Sequence, residues 1–227
     1  MLIKQWMTHE VVSVLPDTSL LKCKSLLRDM NISHLPVVDK QGHVVGLLCD
    51  DDIKEFSPQH TTGLEVLELL DILAETPAKQ IMVVAPHTIH IDETVENAAI
   101  LMDEKRVNCL PVVDGNDKLV GIVTESDIFK TFISITGSRT ESVQMAFVLE
   151  NKPGTLRAIL DRLKEAKARV VTVLSNIRDD GRRGVTLRFR GEERAVEDEL
   201  IKEFCAQGTV QYWGRGHEIH IVGDNNI

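Results

Sequence analysis

Two successions of apolar and polar positions in the first part of the chain superimpose when the sequence is slid along itself by one fixed offset. At that offset Leu35, Pro36, Val37, Val38 and Asp39 fall on Leu110, Pro111, Val112, Val113 and Asp114, and Val45-Gly46 falls on Val120-Gly121. Asp52-Ile53 falls on Asp127-Ile128, Lys4-Gln5 on Lys79-Gln80, and Met7 on Met82. Agreement at core and turn positions at one offset marks an internal repeat. Each copy predicts the same elements. A short strand (positions 11–15, and around Ile89) leads to Asp17-Thr18-Ser19 or Asp92-Glu93-Thr94, whose side-chain oxygens can cap a helix. Helical spacing follows at Leu20, Leu26, Leu27 and Met30, and at Val95, Ala98, Ala99 and Met102. Two strands joined by a polar turn come next, at 35–38 and 44–48 and again at 110–113 and 119–123. A second helix opens at Asp50 or Glu125. Positions 62–75 predict an amphipathic helix between the copies, with Leu64, Leu67, Leu70 and Leu73 along one side. Neither copy has enough strands to close a core alone, so the two should pack with approximate two-fold symmetry. A small-molecule cleft is then expected between related strands and helix starts.

The pattern changes after the small polar stretch 134–142. Val143, Met145, Phe147 and Leu149 alternate with Gln144, Ala146, Val148 and Glu150, as in a strand with one buried face. A tight turn at 151–156 enters a helix carrying Leu156, Ile159, Leu160 and Leu163. A strand at 170–177, a turn at Asp179-Asp180-Gly181, a strand through Val185, Leu187 and Phe189, a helix at 195–204 and a strand from 210 complete the order β-α-β-β-α-β.

Composition narrows the function. The 227 residues carry a net charge of −9. Residues 1–142 hold 12 Lys+Arg against 22 Asp+Glu, and residues 143–227 hold 14 against 13. The acidic balance argues against nucleic acid, which is bound through Lys and Arg displacing counterions. The apolar runs are too short for a membrane span, and the first residues lack a secretory pattern, so the cytoplasm is expected. Cys23, Cys49, Cys109 and Cys205 form no Cys-x-x-Cys pair, and reduced thiols are expected. The eight histidines form no His-Glu-x-x-His pattern, and no Gly-x-Ser-x-Gly or P-loop occurs. The expectation is a protein with no catalytic residues, no metal and no cofactor.

The Leu-Pro-Val-Val-Asp strands, together with Gly46 to Ile53 and Gly121 to Ile128, resemble the CBS domain family. The second ending fits its pattern Gly-h-h-Thr-x-x-Asp-h, where h is apolar. The resemblance implies a paired (Bateman) module that binds an adenosine-containing ligand such as AMP, ADP, ATP or S-adenosylmethionine. It also implies a nucleotide site in the second repeat: Thr124, Ser126 and Asp127 toward ribose and phosphate, and Thr88, Ile89, Val107, Asn108, Leu110 and Pro111 toward adenine. In a weaker first-repeat site Val12, Ser13, Ile32, His34, Pro36 and Asp52 take those places. Cys49 stands there where Thr would, and Asp50 and Asp51 would repel phosphate. Thr and Asp also cap helices with no ligand present, and both roles stay open.

Asn151-Lys152-Pro153-Gly154-Thr155-Leu156 resembles the turn of the ACT domain family, which implies an amino-acid site at Asn151, Gly154, Thr155 and Leu156; a plain strand-to-helix turn is the alternative. The order CBS-CBS-ACT looks like that of the AcuB-type acetoin utilisation proteins. The implied fold mixes α/β and α+β: two CBS repeats in a pseudo-two-fold module (1–60 and 77–133, with a helix at 61–76), a linker (134–142), a ferredoxin-like ACT domain (143–222) and a tail (223–227). The expected role is a homodimeric regulatory sensor that controls a partner protein, or alternatively a constitutive dimerisation scaffold.

Overall fold

The computed structural model describes residues 1–56 and 63–222, except for the side chains of 63–66. The chain divides into two compact units, Met1–Phe129 and the part from Lys130 onward.

In the first unit the two copies repeat down to their irregularities. Helix α1 (Leu20–Asp29) starts at Ser19, whose Oγ accepts from the Lys22 N–H, and it buries Leu20, Cys23 and Leu27. Strands β1 (His34–Val38) and β2 (Val44–Cys49) form an antiparallel pair with a bulge between Val37 and Val38. Helices α2 (Asp50–Phe56) and α3 (Gly63–Glu75) follow. Strands β3 (Val83–Val84) and β4 (Ile89–His90) precede α4 (Val95–Lys105), where Thr94 repeats the cap of Ser19. Strands β5 (Cys109–Val113) and β6 (Leu119–Thr124) pair with a bulge at Val112/Val113, the positions equivalent to Val37/Val38, and α5 (Glu125–Thr136) closes the copy.

The lead segments of the copies are exchanged. Ile3 and Met7 sit in the core of the second copy with Ile89, Val95, Ala98, Met102, Leu110 and Val123. Ala78, with Ile81 and Met82 beside it, packs into the core of the first with Leu20, Leu35 and Leu48. Backbone pairing follows the same exchange. Thr8 and Ile122 donate N–H groups to each other's carbonyls at 2.9 and 3.0 Å, while Val83 pairs with Leu47. Leu2 bridges to Thr94, and Pro77 to Ser19. The copies meet at Leu47 and Ile122, equivalent positions of the two repeats, packed with Cys109 and Val11. Gly46 and Gly121 are required by the close approach. A Cβ at Gly46 would overlap the Met82 thioether, and one at Gly121 that of Met7.

Two expectations in this unit are corrected. The strand expected at 11–15 shrinks to one bridge, Val14 to Val37, since Pro16 ends the extended run without an N–H to donate. On α3, Leu67 and Leu70 are exposed. The buried side is carried by Leu69 and Leu73 at i, i+4 spacing, against the first core; Leu64 lies outside the residues whose side chains are described.

The second unit holds β7 (Val143–Leu149), α6 (Thr155–Glu165), β8 (Arg169–Ile177), β9 (Arg183–Arg190), α7 (Arg194–Ala206), β10 (Val210–Arg215) and β11 (Glu218–Ile221). The antiparallel sheet runs β11-β10-β7-β9-β8. The expected β-α-β-β-α-β order is present with one added strand, β11, which turns back on β10 at Gly216 (φ 61°). Both helices bury their apolar stripes on one sheet face, where Phe147 and Phe204 meet edge to face at 5.5 Å. The linker expected at 134–142 begins as helix, because α5 runs to Thr136 and Thr172 Oγ1 donates to the Ile135 carbonyl. The tail 223–227 lies outside the described residues. Among those residues no helix is long and apolar enough to cross a membrane.

Candidate functional site

The exchange of lead segments decides which residues share a cleft. A cavity of about 700 Å³ opens in the first unit between pieces of both copies. The first copy supplies Leu47 and Cys49 from the end of β2. The second supplies β3 and the following residues to His87, the end of α4 (Met102, Asp103, Arg106), the start of β5 (Val107 to Cys109) and Glu125. Val83 and Val84 are 52% and 69% exposed, so two valines of a short strand form an uncovered apolar wall.

Of the second-repeat residues expected to bind a nucleotide, Val107 and Asn108 line this cavity. Ile89, Leu110 and Pro111 are buried, Ile89 and Leu110 within the second core, while Thr88 is exposed outside the lining. Thr124, Ser126 and Asp127 are also outside it. Asp127 is 7% exposed and its Oδ2 accepts from the Thr124 N–H at 3.1 Å and from the Thr124 hydroxyl at 2.8 Å, which is helix-start capping. The expected second-repeat set is therefore split. The start of β5 shares the cleft with Leu47 and Cys49 at the end of β2, while Cys109 pairs with Thr124 and the Asn108 carbonyl accepts from the Glu125 N–H at 3.0 Å.

In the first repeat Asp52 caps its own helix start by accepting from the Cys49 N–H at 2.7 Å. Ile32 lines a separate cavity of about 500 Å³ with Asn31, Ser33, Asp50 and Leu70 of α3. His34 Nε2 meets Asn108 Oδ1 at 2.9 Å, a bond that joins the copies beside the larger cleft. Val12 and Ser13 are half-buried and Pro36 is buried.

Two thiols line the larger cleft. Burial pushes Cys49 up to about 12, assisted by the charges of Asp52 and Asp51. Burial likewise pushes Cys109 up to about 12, with Cys49 and Asp127 adding to it. At pH 8 each is then held almost wholly as the unreactive thiol. Native-state alkylation followed by mass spectrometry should accordingly label both far more slowly than in urea. Equal rates would mean that neither thiol is buried in solution.

At the turn of the second unit, Gly154 takes φ 94° as the N-cap of α6, a conformation that favours glycine. Thr155 Oγ1 donates to the carbonyls of Glu150 and Lys152, Asn151 accepts from Arg183 at 3.4 Å, and Leu156 packs on the core. Of these four expected residues only Thr155 lines the adjacent cavity of about 520 Å³. That cavity carries Glu150, Asp161 and Glu165 beside the Arg162–Glu203 ion pair (2.7 Å), and Glu150 and Asp161 are themselves paired with Lys152 at 2.7 Å and Arg157 at 3.3 Å.

The family model for the CBS domain matches twice, over residues 3–58 and 78–134. A CBS domain-containing protein of Dictyostelium discoideum is 33% identical over 59% of this chain and 92% of its own length. The chain belongs to the CBS domain family. Its tandem CBS pair is also 29% identical to part of an L-aspartate semialdehyde sulfurtransferase of Methanocaldococcus jannaschii. That match covers 58% of this chain and 23% of the relative, so the chain spans about a quarter of that protein's length. Among solved structures, CBSX2 of Arabidopsis thaliana in complex with AMP is 25% identical. It covers 59% of this chain and 97% of its own, with a TM-score of 0.50.

Sequence reasoning did not single out β3, Ala85, Pro86, His87, Asp103 and Arg106 as cleft residues, and it did not place Cys49 beside Asn108. The signal was present in Gly46 and Gly121 and in Met7 and Met82, which recur at the common offset. The offset does not say whether a glycine meets the methionine of its own copy or of the other.

Proposed function

We propose that this protein is a regulatory sensor whose CBS pair binds an adenosine-containing ligand in the composite cleft between Leu47, Cys49, Val83, Val84 and Asn108. The observation that carries this reading is the uncovered valine wall inside a cavity large enough for a nucleoside, in a family with an AMP-bound member. An apolar surface flanked by a few polar groups suits a flat base with a polar edge. The second unit is read as an ACT-like domain of ferredoxin-like topology, on its strand order and the Asn-Lys-Pro-Gly-Thr-Leu turn. Binding of an amino acid there, homodimer formation, control of a partner protein and an acetoin-related role extend the same reading. A regulatory role, with no catalysis by this chain, is part of it. Control of a partner requires that the ligand bind two conformations unequally.

A thermal-shift titration with AMP, ADP, ATP and S-adenosylmethionine tests the cleft. One of them should raise the midpoint by several degrees, since a ligand at 100 times its Kd stabilises by about 2.7 kcal/mol. Val84→Asp should abolish the shift, because it places a charge on the wall at an exposed position that leaves the fold intact. Asp127→Ala should retain the shift. No response to any of the four at millimolar concentration would sink the sensor reading and leave the dimerisation scaffold.

A further inference from the structure

The two helices of the second unit end in the same way on different residues. After α7 the chain turns at Gly208 in the left-handed region (φ 72°), and the Gly208 N–H donates to the Cys205 carbonyl. After α6 that place is held by Lys167 at φ 55°. The Lys167 N–H donates to the Lys164 carbonyl and the Ala168 N–H to that of Leu163. Glycine fills this position with least strain, so a lysine there runs against backbone preference. Two residues on, Arg169 opens β8 directly opposite Arg190, the last residue of β9. Like charges facing each other across an antiparallel pair destabilise it. These three cations line a cavity of about 240 Å³ with Gly191 and Glu192. Among the described residues none of the three lies within ion-pair distance of a carboxylate. The buried acid beside Gly191, Glu197, is already engaged by Arg215 at 2.9 Å and by the Gly191 N–H at 3.1 Å.

Against the single charge of Glu192, three cations leave an excess of two. A bound dianion offsets the repulsion between the facing arginines and gives the lysine a counter-charge. The cavity is smaller than the roughly 300 Å³ at which sites for drug-sized ligands begin, so its occupant is small. We propose that Lys167, Arg169 and Arg190 form an anion site for the phosphate group of a small ligand. A phosphate monoester carries about −1.5 to −2 charges at pH 7, which matches the excess, whereas a carboxylate supplies half of it. Arginine donates paired N–H groups to phosphate oxygens, and lysine adds a point charge. Phe189 pairs with Val143, so the site lies at the end of the sheet where β7 begins, away from the turn at 151–156 where β7 ends.

Amide NMR titration of the full chain with inorganic phosphate, glycerol phosphate and acetate tests it, with ionic strength held constant by chloride. Phosphate should move the amides of 167–169 and 190–192 saturably, and about tenfold more tightly than acetate. Arg190→Gln should weaken phosphate about tenfold, the scale of one charge-assisted pair. In chloride this variant should unfold no earlier than the native protein, since it removes a like-charged neighbour. Lys167→Gly should also weaken phosphate, and it should raise the unfolding midpoint in chloride by relieving the backbone. Tighter binding of glycerol phosphate than of inorganic phosphate would support the site and assign it to an ester; the reverse would support it as a site for the free ion. Shifts that do not saturate, or that are the same in Arg190→Gln, would overturn the site. Acetate binding as tightly as phosphate would overturn the phosphate class.

Discussion

Ile3→Ala will cost the protein about 2–4 kcal/mol, a core-sized penalty at the very start of the chain. Ile3 has no exposed surface, and its neighbours, from Ile89 to Val123, belong to the second CBS repeat. Truncation removes buried methylene and methyl groups, and the cavity left behind collapses poorly because strand β5 and helix α4 are held against each other in the same core. Trp6 packs against the same cluster, so its fluorescence reports this core, and Trp213→Phe removes the signal of the other unit. Urea unfolding followed at Trp6 should shift to lower midpoint by about 1–2 M, given slopes of about 1–3 kcal/mol/M. A cost below about 1 kcal/mol would mean that the first residues do not complete the second repeat.

The second large effect is expected from Gly46→Ala. The new methyl would overlap the Met82 thioether, and forcing it into a filled site costs about 1–3 kcal/mol. The gain from a stiffer unfolded chain, about 0.4–1 kcal/mol, opposes this and is smaller. The same substitution in a Met82→Ala background should cost at most half as much, a coupling of about 1 kcal/mol. In a Met7→Ala background the costs should add, because Met7 fills the space over Gly121 instead. Denaturant unfolding of the two double-mutant cycles reads the outcome. Coupling to Met7 rather than Met82 would show that each methionine serves its own repeat and would dismantle the composite cleft.

These two sites mark where the reading of sequence stopped. The repeat, its helix starts at Ser19 and Thr94, and its paired strands were legible because capping, turns and apolar spacing act over a few residues. The pairing of Thr8 with Ile122 and of Val83 with Leu47 was not. Two copies with one pattern offer two equivalent partners for each lead segment, and local propensity is the same for both. On α3, leucines at 64, 67, 70 and 73 made a plausible stripe. The helix instead buries Leu69 and Leu73, because its rotation is set by the surface of the first core.

The same division holds for the candidate site. Sequence alone pointed to a small-molecule cleft between related strands and helix starts, and determined that Thr124 and Asp127 open one helix and that Cys49 and Asp52 open the other. Tertiary structure decided that the cleft beside Asn108 and Val107 is completed by Leu47 and Cys49 of the first copy, since contacts between the copies are not encoded in local spacing. In the second unit the alternation of Val143, Met145, Phe147 and Leu149 determined a strand with one buried face. Only the assembled sheet placed that strand at its centre, because strand order depends on contacts between segments distant in sequence, whereas strand character depends on near neighbours along the chain.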